Sequence, residues 1–468
     1  MFNELEIINK RLLTSLKEIL GNSGQSNNNL LLTKYSSYIR NTIEGIRFSN
    51  ITFDEHFIFT DDKFELGHLN LQGIERKSIS KIETIKISDI KRIYFDNCTF
   101  NFIPIIKQKN VWLIEFNECI FNDSFEQFHK TLLTSTRDEK KLYFNNCKFN
   151  DFTIGDISDI RYNLDTKLSY FEINGGIIDN FKIQNIEIAS KFYINKQYDG
   201  NDKQLIIKNL EFNQVIFKEN FKLHNCDILQ CYIKDTDFEK HADFFMSSFN
   251  KGKEKNMEFK AINFKGLALF GDTQFSEKLV FRYVTFEGYV HFRRSVLKKG
   301  INLDYSNIQN EINFYGINIL DNSSMTKESF RIIKYHLEKI GNKIEANKYH
   351  SLELNQNRKD ICSNDKMNFD LIQRGIVAVL HKVSSNHSQS WFLPLFWIFI
   401  VGIVFNYFIN NELLSLNYEY LKDIVKYMSL LTKLEDYRCD NFLFLINKVI
   451  LGYLYYQFLV SIRKDTRK

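Results

Sequence analysis

Residues 95–121, FDNCTFNFIPIIKQKNVWLIEFNECIF, carry two copies of one short pattern, FDNCTF and FNECIF, 21 residues apart. The step extends in both directions. Phe53, Ile74, Phe95 and Phe116 follow at intervals of 21, and Ile79, Phe100 and Phe121 repeat the interval five residues later. Farther along, Phe217, Phe238 and Phe259 keep 21, with Phe281 and Leu303 continuing at 22. Ile228, Phe249 and Phe270 form another such series, extended by Phe292, while Phe264, Phe286 and Ile308 step by 22. A fixed period of this size marks a repeat architecture, in which each repeat buries its apolar face only against its neighbours.

Large apolar residues also lie five apart: Phe95 and Phe100, Phe144 and Phe149, Phe212 and Phe217, Phe270 and Phe275, Phe281 and Phe286. A small or modest side chain lies two positions before many of them, as at Cys98, Cys119, Cys147, Val215, Cys226, Cys231 and Thr273. Four five-residue units return the chain above its starting point, and one or two extra residues per turn imply an outward bulge at a corner. The expectation is a β-solenoid over 45–321, a right-handed quadrilateral parallel β-helix of about 21–22 residues per coil. Another parallel β-helix or an antiparallel sandwich would satisfy part of the pattern. Only two prolines in 468 residues and a constant step speak against the sandwich, whose hairpins need frequent turn dipeptides. The register slips between Phe121 and Phe144, and loops interrupt 121–215.

The strings FDNCTF, FNECIF, FNNCKF and LHNCDI resemble degenerate pentapeptide-repeat coils, with Phe in place of the commoner Leu and Cys in place of Ala. The resemblance covers about residues 45–320, and it implies the right-handed quadrilateral helix. Some such proteins imitate DNA with an acidic surface. Here 31 Lys and Arg face 30 Asp and Glu over 91–320, so no phosphate-like field arises and no nucleic-acid mimicry or nucleic-acid partner is expected. The whole chain carries a net charge of only +5. Seven cysteines without a CxxC pair read as reduced thiols, filling narrow inward slots as small hydrophobes rather than binding metal. No metal or cofactor is expected.

The N-terminal stretch 1–24 reads as an amphipathic helix, with Leu5, Ile8, Leu12, Leu16 and Ile19 on one face and Gly21 as its stop. Its acids and lack of an uninterrupted apolar core speak against a signal peptide. After Asp321 the five-residue pattern ends. Ser323 or Ser324 is expected to cap a helix with Phe330, Ile333, Leu337 and Ile340 as its apolar stripe, followed by a second with Ile344, Ala346, Tyr349 and Leu352. This module, 323–360, is similar to the helical segment following the repeats in membrane-linked bacterial pentapeptide-repeat proteins. Residues 368–384 read as an amphipathic helix at the lipid interface, or as an ordinary packed helix.

Residues 391–410 and 442–462 read as two transmembrane helices separated by an extracytoplasmic loop, 411–441. The first has no formal charge and holds Pro394 in its first turn; the second has one cation, Lys448. Arg374 and Lys382 precede the first span and Arg463, Lys464, Arg467 and Lys468 follow the second, while the loop carries more acids than bases. The positive-inside rule then places the solenoid and the C-terminus in the cytoplasm of a bacterium, at the inner (plasma) membrane. Asn447, Lys448 and Gln457 are the candidate membrane-embedded polar residues. Lys448 either snorkels outward or lines an aqueous path between subunits. The phosphate-binding, dinucleotide, zinc and serine-hydrolase motifs are all missing. The expectation is a non-catalytic scaffold whose partners are the lipid bilayer and an unidentified protein. The alternative is a homo-oligomeric ion channel or pore gated by the solenoid, although no TVGYG-like filter string occurs in the loop.

Overall fold

The computed structural model describes residues 39–42, 45–53, 57–59, 64–66, 69–71, 91–102, 104–106, 110–122, 140–155, 162–163, 168–195, 205–251, 257–362, 369–410, 418–436 and 441–466. The helix expected over 1–24 and the ladder members Ile74 and Ile79 lie outside them. The chain divides into two compact units, Met1–Ser324 and Met325–Lys468.

In the first unit, side chains alternate in and out along short strands, and from Arg92 onward the strands pair in parallel with those a full coil away. Leu113–Asn117 lies between Arg92–Asp96 on one side and residues 141–145 on the other, in unbroken parallel register. The rings ride on that register. Phe95 stacks on Phe116 at 4.9 Å and Phe116 on Phe144 at 5.0 Å; the adjoining column runs Phe100, Phe121, Phe149 at 5.0 and 4.6 Å. Those spacings match the separation of hydrogen-bonded strands, about 4.7–4.9 Å, so ring stacking and backbone bonding are satisfied together. The two columns meet edge to face, as Phe95 and Phe100 do at 5.2 Å. Each fully buried ring is expected to contribute about 3–5 kcal/mol against truncation to Ala.

The ladder is less uniform than a constant step. Phe53 stacks on Phe100 and Phe48 on Phe95, at 4.9 and 5.2 Å, so Phe53 belongs to the second column and not the first. Antiparallel pairings among 39–71 occupy the interval where a regular coil was expected. Likewise Phe238 lies against Phe264, not Phe259, and Phe270 continues from Phe244, while Phe249 continues to Phe275. Ile228 pairs with Phe249 whereas Ile233 pairs with Phe259, which locates the additional residues between Phe249 and Phe259. From there the step is 22, and Phe264 stacks on Phe286 at 5.2 Å as expected.

The small inward residues have a local cause. Asn97, Glu118, Asn146, Asn225, Met246, Asp272 and Arg294 are left-handed, with φ between 51° and 58°, and each immediately precedes a buried small residue: Cys98, Cys119, Cys147, Cys226, Ser247, Thr273 and Ser295. The reversal turns the chain through a corner and leaves a carbonyl of the preceding coil without a strand partner. The small side chain supplies the donor. Cys119 Sγ reaches Phe95 O at 3.4 Å, Ser247 Oγ donates to Leu223 O at 2.6 Å, and Ser295 Oγ to Phe270 O at 2.5 Å. The Asn of the repeated NC string suits the left-handed position because its short polar side chain tolerates it. At Gly176, φ +104°, a Cβ would lie 2.1 Å from Cys147 O, so only glycine fits between those coils. Outside, asparagine amides are stacked from coil to coil: Asn117 donates to Asp96, Asn145 to Asn117 and Asn174 to Asn145 at 2.8–3.1 Å.

The second unit contains α1 (Lys327–Lys339), α2 (Lys343–Cys362), α3 (Phe369–Ser385), α4 (Phe392–Asn410), α5 (Tyr418–Met428) and α6 (Asn441–Thr466). Thr326, not Ser323 or Ser324, caps α1, its hydroxyl accepting from Ser329 N at 3.1 Å. Phe330, Ile333 and Leu337 are buried as expected, but Ile340 and Ile344 are exposed because the chain turns out of the helix at Gly341. Glu353 of α2 receives Arg331 and Lys334 of α1 at 3.0 and 2.8 Å. The apolar residues Ile372, Ile376, Val379, Leu380 and Val383 of α3 are exposed. Phe392–Ile409 and Asn441–Lys464 are long and apolar enough to cross a membrane, and only 22% of each window is buried, unlike the core helix of a soluble protein. Ile398, Leu451 and Leu454 form the buried contact between α4 and α6.

Candidate functional site

The three polar residues of α6 are distributed to two places. Asn447 is fully buried and donates to Tyr427 O at 3.3 Å, and Lys448 Nζ donates to Ser429 O at 2.6 Å. Tyr455 OH adds a bond to Met428 O at 3.2 Å. These three carbonyls are the last of α5 and the first beyond it, groups with no intrahelical partner and with partial negative charge from the helix dipole. The Lys448 ammonium therefore sits at the one helix end that favours a cation, with the Phe444 ring 5.2 Å away. Close approach of α5 is permitted by Gly402 in α4: a Cβ there would meet Met428 Cγ at 2.6 Å and Ile424 O at 3.2 Å. The C-terminal end of α5 is thus held against the middle of both apolar helices, where its carbonyls need protein partners.

Gln457 lies elsewhere, at the joint between α3 and α4. Ser385 Oγ lies 3.0 Å from Gln457 Oε1 and accepts from Ser388 N at 3.0 Å; Ser384 Oγ meets Tyr453 OH at 3.0 Å. Asn386, His387 and Ser388 are consecutively left-handed, with φ of 48°, 56° and 62°. This strained turn places His387 Nδ1 3.1 Å from His381 Nδ1, with Ser388 Oγ 3.3 Å from His381 Nε2. One proton between two Nδ1 atoms suits a neutral pair. Burial lowers the pKa of both rings, His387 to about 4, and the surrounding groups add to it: His381, Lys382, Arg358 and His350 around His387, Lys464 and His350 around His381. The spacing of His381 and His387 carries no helical or motif signature, so only the turn reveals the pair.

A third feature lies on the outside of the solenoid. One outward column reads Arg47, Tyr94, Glu115, Tyr143, Glu172, Tyr193 and Lys222 in continuous register. Arg47 lies 4.8 Å from the Tyr94 ring and Lys222 4.6 Å from Tyr193. In the adjacent column Arg92 and Lys141 flank Trp112 at 4.7 and 5.9 Å, and Tyr170 bridges Tyr143 and Tyr193 at 5.5 and 5.2 Å. Partial burial, with Glu172 close by, raises the pKa of all three phenols, Tyr143, Tyr170 and Tyr193, which stay protonated donors. The signal existed in sequence: Tyr directly before an inward Phe, at 94–95, 143–144 and 170–171, must point outward in a strand.

The repeat cysteines are buried; burial pushes the thiols of Cys119, Cys226 and Cys231 up, and the neighbouring Cys119 together with burial does the same to Cys98, away from the thiolate form that metal or redox chemistry requires. Among the described residues, no group of three or more His, Cys, Asp and Glu side chains is placed to hold a metal ion. Buried Lys140 donates to Ile106 O at 3.2 Å, and burial lowers its pKa to about 8. Comparison with protein-family models, with curated proteins and with solved structures yields no match.

Proposed function

We propose that the protein is a membrane-anchored, non-catalytic scaffold of pentapeptide-repeat type, whose right-handed quadrilateral coils offer a surface to a partner protein on the cytoplasmic side of a bacterial inner membrane. The four-sided outline is supported by the left-handed residues Ala261, Asp272, Tyr283 and Arg294, which recur eleven residues apart, half of the 22-residue coil. Equal half-turns suit an even-sided coil. The inner-membrane orientation rests on the basic residues flanking the two apolar helices.

The observation that carries the scaffold reading is the pair of outward columns in which Tyr, Trp, Arg and Lys cluster around Glu115 and Glu172. Tyr, Trp and Arg dominate the binding energy of protein interfaces. Here they stand on a backbone already fixed by ladder bonds, so binding orders little further chain. A photoreactive amino acid at position 143, in the full chain in native membranes, is the test. The expected result is one protein crosslinked from positions 143 and 193, absent from position 120 on another face, and lost when Tyr94 is changed to Ala. Equal labelling from position 120 would overturn the reading.

The pore alternative draws on α5, whose C-terminal carbonyls point into the apolar pair like the inner end of a pore helix. Ion release from liposomes by the full chain, altered by Lys448→Leu, would replace the scaffold by the pore. A silent bilayer retires the pore.

A further inference from the structure

Beside the end of α6 lies a pocket of about 470 Å³ whose composition changes along its length. Tyr456, Val460, Arg463 and Lys464 line one wall, and Lys343 and Asn347, from the first turns of α2, line the other. The α6 residues fall at positions i, i+4, i+7 and i+8, one stripe of the helix, covering about 12 Å at 1.5 Å per residue. The stripe passes from Tyr456, 63% exposed on the apolar helix, to two adjacent cations. Arg463 and Lys464 make no ion pair among the described residues, and Glu338 is the one acid in the lining against three cations. The N-terminus of α2 adds the positive end of a twenty-residue helix dipole. The walls are held together: Asn347 Nδ2 donates to Lys464 O at 3.2 Å, and Gln389 Nε2 to Asn347 O at 3.0 Å.

We propose that this pocket binds the phosphate of an anionic phospholipid, with Lys343, Arg463 and Lys464 around the phosphate oxygens and Tyr456 and Val460 against the glycerol and first methylenes. The inference rests on the reading of α6 as a membrane span. The apolar half of the pocket selects a lipid over a free phosphate ester, since a soluble ester leaves Tyr456 and Val460 uncovered. The Asn347 side chain in the lining gives the site a hydrogen-bonding group that a simple basic fringe lacks.

Native mass spectrometry of the full chain, released from nanodiscs of phosphatidylcholine with phosphatidylglycerol, tests it. Phosphatidylglycerol is expected to be retained about tenfold over phosphatidylcholine, because both carry the phosphate diester but only phosphatidylcholine brings a quaternary ammonium against the three cations. Lys343→Ala and, independently, Arg463→Gln are expected to abolish the preference, while Lys348→Ala, on the same helix but outside the pocket, keeps it. Equal loss in Lys348→Ala would mean diffuse surface charge and overturn the proposal. Displacement of the lipid by glycerol 1-phosphate or inorganic phosphate at matched concentration would assign the pocket to a soluble ester and overturn it as well. Carbonate washing separates the two layers of the argument. A chain that carbonate releases removes the span and this proposal with it, whereas a carbonate-resistant chain with no lipid preference removes only this proposal.

Discussion

Changing Lys448 to Leu sets two terms of opposite sign against each other, and the structure says where each would be felt. Lys448 lies about 10 Å along α6 from its start, inside the apolar window, and donates to Ser429 O at 2.6 Å with the Phe444 ring alongside. Removing the ammonium forfeits a charge-assisted bond of about 1.5–3 kcal/mol and a cation–π contact of about 0.5–1 kcal/mol. With α6 read as the proposed span, the change also relieves a cation in lipid, a burden of about 2.5–3.5 kcal/mol. The stability of the whole helical unit is therefore expected to move by less than about 1.5 kcal/mol. The loss, however, falls on α5, whose Ser429 carbonyl is left to water or to nothing. Its opening becomes easier by about 2 kcal/mol, and its amides exchange about thirtyfold faster. Hydrogen exchange of the full chain in a mild detergent reads both quantities. Tyr455→Phe, which removes one neutral bond to Met428 O, is expected to accelerate the same amides only about fivefold. Unchanged exchange across residues 418–428 in Lys448→Leu would refute the idea that α6 holds α5 in place. A collapse of the entire unit by more than about 3 kcal/mol would refute the offset.

The joint at residues 381–390 should be sensitive to acid. His387 is held neutral in the fold, with a pKa of about 4 against the ordinary 6.5, so the unfolded joint takes up a proton first and the folded joint loses stability as pH falls from 6.5 toward 4. The loss reaches about 3 kcal/mol, and exchange of the 381–390 amides should rise over that window in the native chain and clearly less in His387→Gln, where only His381 is left to take up a proton. At the corner of the late coils, Phe270 O accepts from both Thr273 Oγ1, at 2.6 Å, and Ser295 Oγ, at 2.5 Å. Ser295→Ala alone should weaken local protection by about 1 kcal/mol, and the double change Thr273→Val with Ser295→Ala by about the sum of the two losses, because the Thr273 N–H still reaches that carbonyl at 3.4 Å. Ser295→Cys should be close to neutral, since cysteine serves the equivalent corners at 98, 119 and 147. Met246 is left-handed, φ 56°, and half exposed; Met246→Asn should stabilise its coil by about 0.5–1 kcal/mol, read by thermal unfolding followed with near-ultraviolet dichroism.

The parts of this fold that were legible are those in which burial leaves a mark on residue type. Phe95 and Phe100, or Phe281 and Phe286, are five apart because both must face inward on either side of a corner. The apolar windows of α4 and α6 are legible for the same reason. Register is different. Which ring lies over Phe238 is decided by the backbone bonds between neighbouring coils, and the residues inserted between Phe249 and Phe259 shift the answer from Phe259 to Phe264 without changing any apolar position. Polar contacts were less legible still. Asn447 and Lys448 are visible as anomalies in an apolar run, but their acceptors are main-chain carbonyls, which every residue possesses and no sequence advertises.

The corners show how the two kinds of information meet. A left-handed residue such as Glu118, Tyr283 or Arg294 is strained by about 1–2 kcal/mol, and local preference alone would never place it there. Parallel stacking imposes it, since a coil that turned elsewhere would lose its ladder bonds above and below and carry two columns of rings out of contact. Asn97, Asn146 and Asn225 answer that demand with a residue suited to it, and there the NC string is readable. Arg294 answers it with an added interaction instead, its guanidinium 2.7 Å from Asp272 one coil away. The asparagine corners therefore advertise themselves and the others do not, although the backbone is bent in the same way at both. A repeat read only from its best-matching coils accordingly finds the solenoid but misses the coils in which cross-coil contacts, rather than intrinsic preference, hold the turn.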